Sequence, residues 1–165
     1  MWEESAPAVE PFAVLRECSL LREFTDVGVR ILAETMERRT VGRGTYAFRA
    51  GEPSEALAVV AWGTLQLYPR EGGAPLGELA KGDSLGGLVL LQGGEHLISA
   101  MAGTDVELLT LAPAAWAGLQ QSHPRTALKL RLAVATDLLE RLREAQGPLR
   151  EFLLWQVSRR QADGR

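Results

Sequence analysis

The 165-residue sequence is poor in the residues that disulfides, metal sites and membrane spans require. Its one cysteine, Cys18, rules out an internal disulfide and a zinc site built on cysteines. Its two histidines, His96 and His123, lie far apart and have no metal-ligand spacing. No apolar run approaches the roughly 20 residues that cross a bilayer, and the acidic start MWEES does not begin a signal peptide. We therefore expect a cytoplasmic protein.

The sequence also lacks the patterns of an enzyme or of a bulk nucleic-acid binder. No nucleophile stands in a motif with a base, and no phosphate-binding loop or metal-binding box is present. The 18 basic and 21 acidic residues give a net charge of −3, which offers no general surface for a phosphate backbone. The sequence therefore predicts a non-enzymatic protein with no direct DNA binding.

Glycine is abundant, with 17 residues, and short apolar runs lie between the glycines. From Arg39 to Leu111 these runs have strand length and are separated by glycine turns. They cover 45–49, 57–62, 64–69, 76–80, 97–102 and 106–111. Because the links are too short for parallel crossovers, the strands are predicted to be antiparallel.

Helical periodicity flanks this β region on both sides. Short helices are predicted at about 12–21 and 28–39, a short helix from Pro113 and a long helix from Pro124 to about Ala145. A last amphipathic piece is predicted at 149–157. These elements divide the chain into a loose leader at 1–11, one domain at 12–145, and a C-terminal helical extension and tail at 146–165. The predicted fold class is α+β, mainly β: an antiparallel β-roll or jelly roll with short N-terminal helices and a long C-terminal helix.

The element order and the glycine spacing carry a family resemblance. The segment from Gly44 to Tyr68 has glycines at the turns of the opening strands of the cyclic nucleotide-binding domain family. Residues 81–94, KGDSLGGLVLLQGG, resemble its phosphate-binding cassette. Over about residues 12–145 the chain resembles the sensor domain of catabolite-activator (Crp/Fnr-like) regulators without the DNA-binding domain. The resemblance implies a signal-transduction domain with a jelly-roll pocket.

The chain departs from the family at the residues that bind the ligand. The family cassette reads Phe-Gly-Glu, then a small helix, then arginine and a small or hydroxyl residue. Here the matching residues are Leu85-Gly86-Gly87 and later His96-Leu97. The ribose-binding carboxylate and the phosphate-binding guanidinium are therefore replaced. Losing one partner of a desolvated charge pair costs about 2–5 kcal/mol, which is roughly 30-fold to several-thousand-fold in affinity.

We therefore predict a degenerate pocket and no bound cofactor, with a cyclic nucleotide as the disfavoured alternative. Glycine lets the backbone approach an anion, and His96 is either a loop residue or a weak phosphate ligand. Thr136 lies roughly where a hydroxyl on the long helix would contact a base. The candidate ligand-binding residues are Gly86, Gly87, Leu88, Val89, His96, Leu97 and Thr136.

The long helix carries two apolar stripes. The first has heptad spacing and is the candidate dimer seam: Leu128, Leu132, Ala135, Leu139 and Leu142. The second consists of Leu130, Val134 and Leu138. One of the two stripes must pack on the chain's own β-roll. The presence of a further stripe therefore favours a parallel homodimer, as in the resembling bacterial regulators. Arg141 and Arg143 are predicted to lie on a solvated face because acids are interleaved with them.

Two functions remain in competition at this point. The first is a regulatory module with a degenerate cassette that acts through dimerisation and a protein partner. The alternative is a sensor of cyclic AMP, cyclic GMP or a related second messenger with a substituted pocket, within a Crp/Fnr-type regulatory system. A DNA-binding unit is not expected, because the 20 residues after Ala145 lack a helix pair for recognition. Trp62 either packs on its own loop or anchors a partner, and Cys18 is predicted to be buried.

Overall fold

The computed structural model describes residues 7–54, 56–147 and 150–151. The strands are β1 Glu37–Val41, β2 Tyr46–Phe48, β3 Leu57–Trp62, β4 Leu65–Pro69, β5 Gly77–Leu79, β6 Ser84–Leu85, β7 Ile98–Ala102 and β8 Val106–Leu111. The helices are α1 Pro11–Glu17, α2 Asp26–Thr35, α3 Leu88–Gln92, α4 Pro113–Ser122 and α5 Pro124–Glu144, and a 3₁₀ turn at Ser19–Leu21 follows α1.

The strands form two four-stranded antiparallel sheets, ordered β1-β8-β3-β6 and β2-β7-β4-β5. In the first sheet Val59 lies opposite Leu109, and in the second Gln66 lies opposite Met101. The predicted antiparallel β-roll with N-terminal helices and a long C-terminal helix is therefore confirmed.

The first sheet separates two apolar cores. Successive side chains of a strand point to opposite faces, so Leu57 and Val59 pack with the helices, whereas Ala58 and Val60 face the interior of the roll. Strand β3 is consequently buried on both faces, which explains its unbroken run of apolar residues. The helical core joins α1, α2, α4 and α5 to the outer face of this sheet.

The N-terminal helices are shorter than predicted. The expected helix at 12–21 is broken at Cys18, which has extended backbone angles between α1 and the 3₁₀ turn. The expected helix at 28–39 begins earlier, because the Thr25 hydroxyl accepts a hydrogen bond from the Gly28 amide at 3.3 Å and caps α2. It also ends at Thr35, and the residues from Glu37 onward form β1 instead.

Strand β1 has no apolar alternation, since its first four residues are exposed. It forms through pairing with β8, and Arg38 donates a hydrogen bond to the buried Glu107 carboxylate at 3.1 Å. Pairing and charge therefore fix this strand, and tertiary context overrides the local pattern.

The long helix α5 starts at Pro124, as predicted, and ends at Glu144. Within the described ranges, no helix combines the length and the apolar content that a bilayer crossing needs. Residues 1–6 of the leader predicted at 1–11 lie outside the described residues. The amphipathic piece at 149–157, with Phe152 and Trp155, and the tail after it also lie outside them, apart from 150–151.

Candidate functional site

The cassette connects β6 to β7 and consists of two glycines, the helix α3, two further glycines and the segment to His96. Gly86 takes a φ of 76°, in the left-handed region that favours glycine. A Cβ at this position would lie 2.4 Å from the Ala56 carbonyl oxygen. The backbone of the cassette therefore has the tight turn that the glycine predicts.

Gly87 is glycine for a different reason. Its φ of −58° and ψ of −26° are ordinary helical angles that any residue can adopt. A Cβ here would lie 2.8 Å from Val134 Cγ1, on α5. The Val134 side chain thus occupies the space into which a glutamate at position 87 would extend.

A small cavity of about 60 Å³ lies between the cassette and α5. This volume is below the roughly 300–1,000 Å³ that is typical of small-molecule pockets. The lining residues are Leu20, Leu57, Ser84, Leu85, Gly86, Gly87, Val134, Asp137, Leu138 and Arg141.

An arginine does reach the cassette, but it comes from α5. Arg141 Nη2 donates to the Ser84 carbonyl oxygen at 3.2 Å and to Ser84 Oγ at 3.0 Å. Its Nε lies 2.7 Å from Asp137 Oδ2. The prediction that Arg141 belongs to a solvated face holds only in part: its side chain is 40% exposed, but its guanidinium contacts Ser84 on β6 and Asp137 on α5.

His96 lies at the other end of the cassette. Its amide donates to the Glu52 carbonyl oxygen, and its carbonyl accepts from the Gly51 amide, both at 2.8 Å. Its ring stacks on Phe48 with the ring centres 3.9 Å apart and the planes 9° from parallel. The imidazole is therefore fixed by stacking and by the loop between β2 and β3.

His96 faces a second and larger cavity, of about 370 Å³, at the edge of the roll formed by β1 and β2. Among the described residues, none lines both cavities. The structure thus places Gly86 and Gly87 at one cavity and His96 at another. The larger cavity is lined by Arg39, Ala47, Phe48, Glu52, Pro53, Ala56, Ala58, His96, Leu108, Thr110, Ala112 and Pro113.

The other candidate residues have mixed surroundings. Val89 packs against the helical core, and Leu88 and Leu97 are half-buried. Thr136 is exposed on α5 and does not line either cavity. Arg39, which the sequence did not single out, lines the larger cavity and donates to the Ala47 carbonyl oxygen at 2.7 Å.

The two apolar stripes of α5 have different environments. In the first stripe, Leu128, Leu132 and Leu139 are 59%, 61% and 63% exposed, and Ala135 and Leu142 are half-buried. In the second stripe, Leu130 and Val134 are buried in the helical core. The second stripe is therefore the one that packs on the chain's own roll, and the first faces outward.

Cys18 is buried in the helical core, as predicted. Desolvation by burial is the main cause that raises the pKa of its thiol. A thiol in this state is a poor nucleophile at neutral pH. In the part of the chain that the structure describes, no group of three or more His, Cys, Asp or Glu side chains could hold a metal ion.

Comparison with known proteins agrees with this architecture. The chain is similar to the N-terminal domain of a transcriptional regulator from Streptomyces coelicolor, with 27% identity and a TM-score of 0.69 over 81% of this chain and 98% of that one. It is also similar to the catabolite activator protein of Thermus thermophilus, with 30% identity and a TM-score of 0.63 over 73% of this chain and 58% of that one.

A relative by sequence is an uncharacterised NTE family protein of Mycobacterium tuberculosis. It is 28% identical over 144 residues, which are 87% of this chain and 24% of the relative. The chain therefore spans about a quarter of that curated relative. The family model of the cyclic nucleotide-binding domain matches residues 38–123, more than half of the chain. With the β-roll, the cassette and the long helix in place, the chain belongs to the cyclic nucleotide-binding domain family.

Proposed function

We propose that this chain is a non-enzymatic regulatory module with a degenerate cassette, which acts through a homodimer and a protein partner. The observation that supports this most is the close approach of α5 to the cassette. Gly87 has no carboxylate for a ribose hydroxyl, and Val134 fills the adjoining space. The cavity that remains, about 60 Å³, is several times smaller than a nucleotide pocket of roughly 300 Å³ or more.

The charges around the cassette support the same proposal. The arginine that reaches it, Arg141, is already paired with Asp137 and Ser84. His96 stacks on Phe48 at the larger cavity and is next to Glu95 in sequence. A phosphate in the cassette would therefore meet a guanidinium whose charge is balanced by a carboxylate, which weakens the charge-assisted pair.

The proposed homodimer rests on the outward stripe of α5. Leu128, Leu132 and Leu139 recur at heptad spacing and are exposed. Burying a leucine side chain contributes about 1.5–3 kcal/mol, so a second copy of the same stripe would stabilise a parallel pair. The heptad spacing favours this occupant because it matches itself across a two-fold axis.

The alternative function, a second-messenger sensor with a substituted pocket, has one observation in its favour. The larger cavity of about 370 Å³ has the size of a ligand site and is lined by His96, Arg39 and Phe48. In this alternative the ligand would lie on the histidine side of the roll, away from Gly87.

Titration calorimetry with cyclic AMP, cyclic GMP and cyclic dinucleotides separates the two functions. The degenerate cassette predicts no saturable heat at micromolar ligand. Saturable micromolar heat that is lost in Arg39→Gln and retained in the control Arg43→Gln would establish the alternative instead. Arg43 serves as the control because it does not line either cavity.

Light scattering across concentration tests the dimer. The chain is expected to have twice its 17.9 kDa mass at high concentration. Leu132→Glu places a charge in the stripe and is expected to give a monomer, whereas Gln121→Glu, an exposed position on α4, is expected to remain dimeric. A monomeric wild-type chain at the highest concentration would overturn the dimer.

A further inference from the structure

Helix α5 holds the cassette at three points along one face. Arg131 Nε donates to the Leu90 carbonyl oxygen on α3 at 3.0 Å. Val134 lies against Gly87, and Arg141 donates to Ser84 on β6, just before the cassette. Positions 131 and 134 are three residues apart and positions 134 and 141 are seven apart, close to two turns, so the three side chains share one helix face and can reach the cassette together.

We propose that α5 is a built-in clamp that occupies the cassette in place of a ligand and holds it in one conformation. This inference rests on the proposed function, because a cassette that bound nucleotide would require α5 to move away. It goes beyond that function by naming the residues that close the site: Arg131, Val134 and Arg141 from α5, with Gly87 as the position that admits them.

Contacts outside the cassette also orient the two arginine side chains. The Arg131 guanidinium lies over the Trp116 ring, 5.3 Å from its centre, which is within the range of a cation–π contact. Arg141 is held by Asp137, whose side chain is 19% exposed. Pre-oriented side chains lose less rotamer entropy when they bind, which favours the clamped state without any ligand.

The clamp is tight because Gly87 lacks a side chain. Its helical backbone angles do not require glycine, and only the side chain of Val134 limits what fits there. Gly87 therefore allows the backbone of the cassette to touch α5 directly. Any side chain at this position would meet Val134 of α5 in the present arrangement.

The rest of α5 is tied to the N-terminal segment. Arg22 and Glu140 form an ion pair at 3.0 Å, and the Lys129 ammonium donates to the Glu23 carbonyl oxygen. The cassette, α5 and the segment around residues 19–24 are thus linked as one body.

Amide hydrogen exchange of the full chain, followed by mass spectrometry, tests the clamp. In the wild type without ligand, residues 84–92 are expected to exchange slowly compared with the exposed turn at Gly72 and Gly73. Arg141→Gln is expected to accelerate their exchange about tenfold, which corresponds to about 1.4 kcal/mol, the order of a hydrogen bond to a charged group. Arg143→Gln, exposed in the last turn of α5, is the matched control and is expected to leave the rate unchanged.

Equal exchange in Arg141→Gln and wild type, or a wild-type cassette that exchanges as fast as the exposed turn, would overturn the clamp. If Arg141→Gln unfolds the domain, Arg131→Gln and its control Arg125→Gln give the same comparison at Leu90. Repeating the wild-type measurement with cyclic AMP keeps the two proposals apart. Protection gained with cyclic AMP would contradict the degenerate cassette, whereas fast exchange with no effect of cyclic AMP would remove the clamp alone.

Discussion

Different interactions stabilise the centre of the β-roll and the cassette. Strands β3 and β8 are held by apolar side chains that are buried on both faces of the sheet. The cassette has two exposed or half-buried ends and is held by a glycine turn and by contacts from α5. The backbone shape of a binding fold and the chemistry of its ligand site are therefore separable. In the proposed function, this chain keeps the backbone shape and has lost the two side chains that bind the ligand.

The two adjacent glycines of the cassette show the same separation on a smaller scale. Gly86 is required by the backbone, with its positive φ and a carbonyl oxygen in the space of a Cβ. Gly87 is required by a side chain from a different element, Val134. A substitution at the first would strain the turn, whereas one at the second would displace α5.

The largest effect is expected in the centre of the roll. Leu109→Ala removes a fully buried side chain of β8 and is expected to lower the free energy of unfolding by about 2–5 kcal/mol. Leu97→Ala, at the half-buried end of the cassette, is expected to cost less than about 2 kcal/mol. Urea unfolding measures both, and equal losses would contradict the distinction between the two regions.

Gly86→Ala is expected to have the next largest effect on the free energy of unfolding. Its backbone lies in the left-handed region and its Cβ would meet the Ala56 carbonyl oxygen at 2.4 Å, so we expect a loss of about 1–3 kcal/mol. The control is Gly77→Ala, where no atom of the described residues lies within 4 Å of a Cβ. Thermal unfolding distinguishes them; an unchanged melting temperature in Gly86→Ala would mean that the turn can relax.

A double-mutant cycle between Gly87 and Val134 is expected to give a coupling of about 1–2 kcal/mol. Gly87→Ala alone should destabilise the domain, because the new Cβ meets Val134 Cγ1 at 2.8 Å. In a Val134→Ala background the same change should stabilise it by about 0.4–1 kcal/mol, since alanine restricts the unfolded chain and now fits. Additive effects in denaturant unfolding would show that the two residues do not limit each other.

The smallest effect is a pH dependence from Cys18. Because burial raises the pKa of this thiol, the folded state holds its proton more tightly than the unfolded state, where the pKa is about 8.5. The resulting stability is complete below about pH 8.5 and is lost as pH rises towards the folded-state pKa. Cys18→Ala should therefore flatten the fall in unfolding free energy between pH 8 and 10. Identical slopes in the two proteins would count against a raised pKa.

Parts of this fold could be predicted because local sequence determines them. Strands β3 and β8 agree with their predicted bounds. Strand β3 is an unbroken apolar run that ends at the Gly63 turn, and β8 is an apolar-rich run that ends just before Pro113, where α4 begins. Strand β1 was not predicted because four of its five residues are polar and exposed, and only its pairing with β8 makes it a strand. The break at Cys18 likewise depends on packing that the helical pattern does not contain.

The candidate site was predictable only where local sequence determines it. The glycines and the missing arginine could be identified within one segment of the sequence. The contact between Arg141 and Ser84 joins residues 57 positions apart, and Arg141 stands among acids as a solvated arginine would. Only the packing of α5 on the cassette brings the two together. The separation of His96 from Gly87 into different cavities is also a product of the folded chain.

Calorimetric titration of the wild-type chain with cyclic AMP shows whether the cassette still binds a nucleotide. A cassette that lacks both the carboxylate and the guanidinium, and that α5 closes, predicts no saturable heat below roughly millimolar ligand. A saturable micromolar isotherm with one nucleotide per chain would show that the cassette is not degenerate.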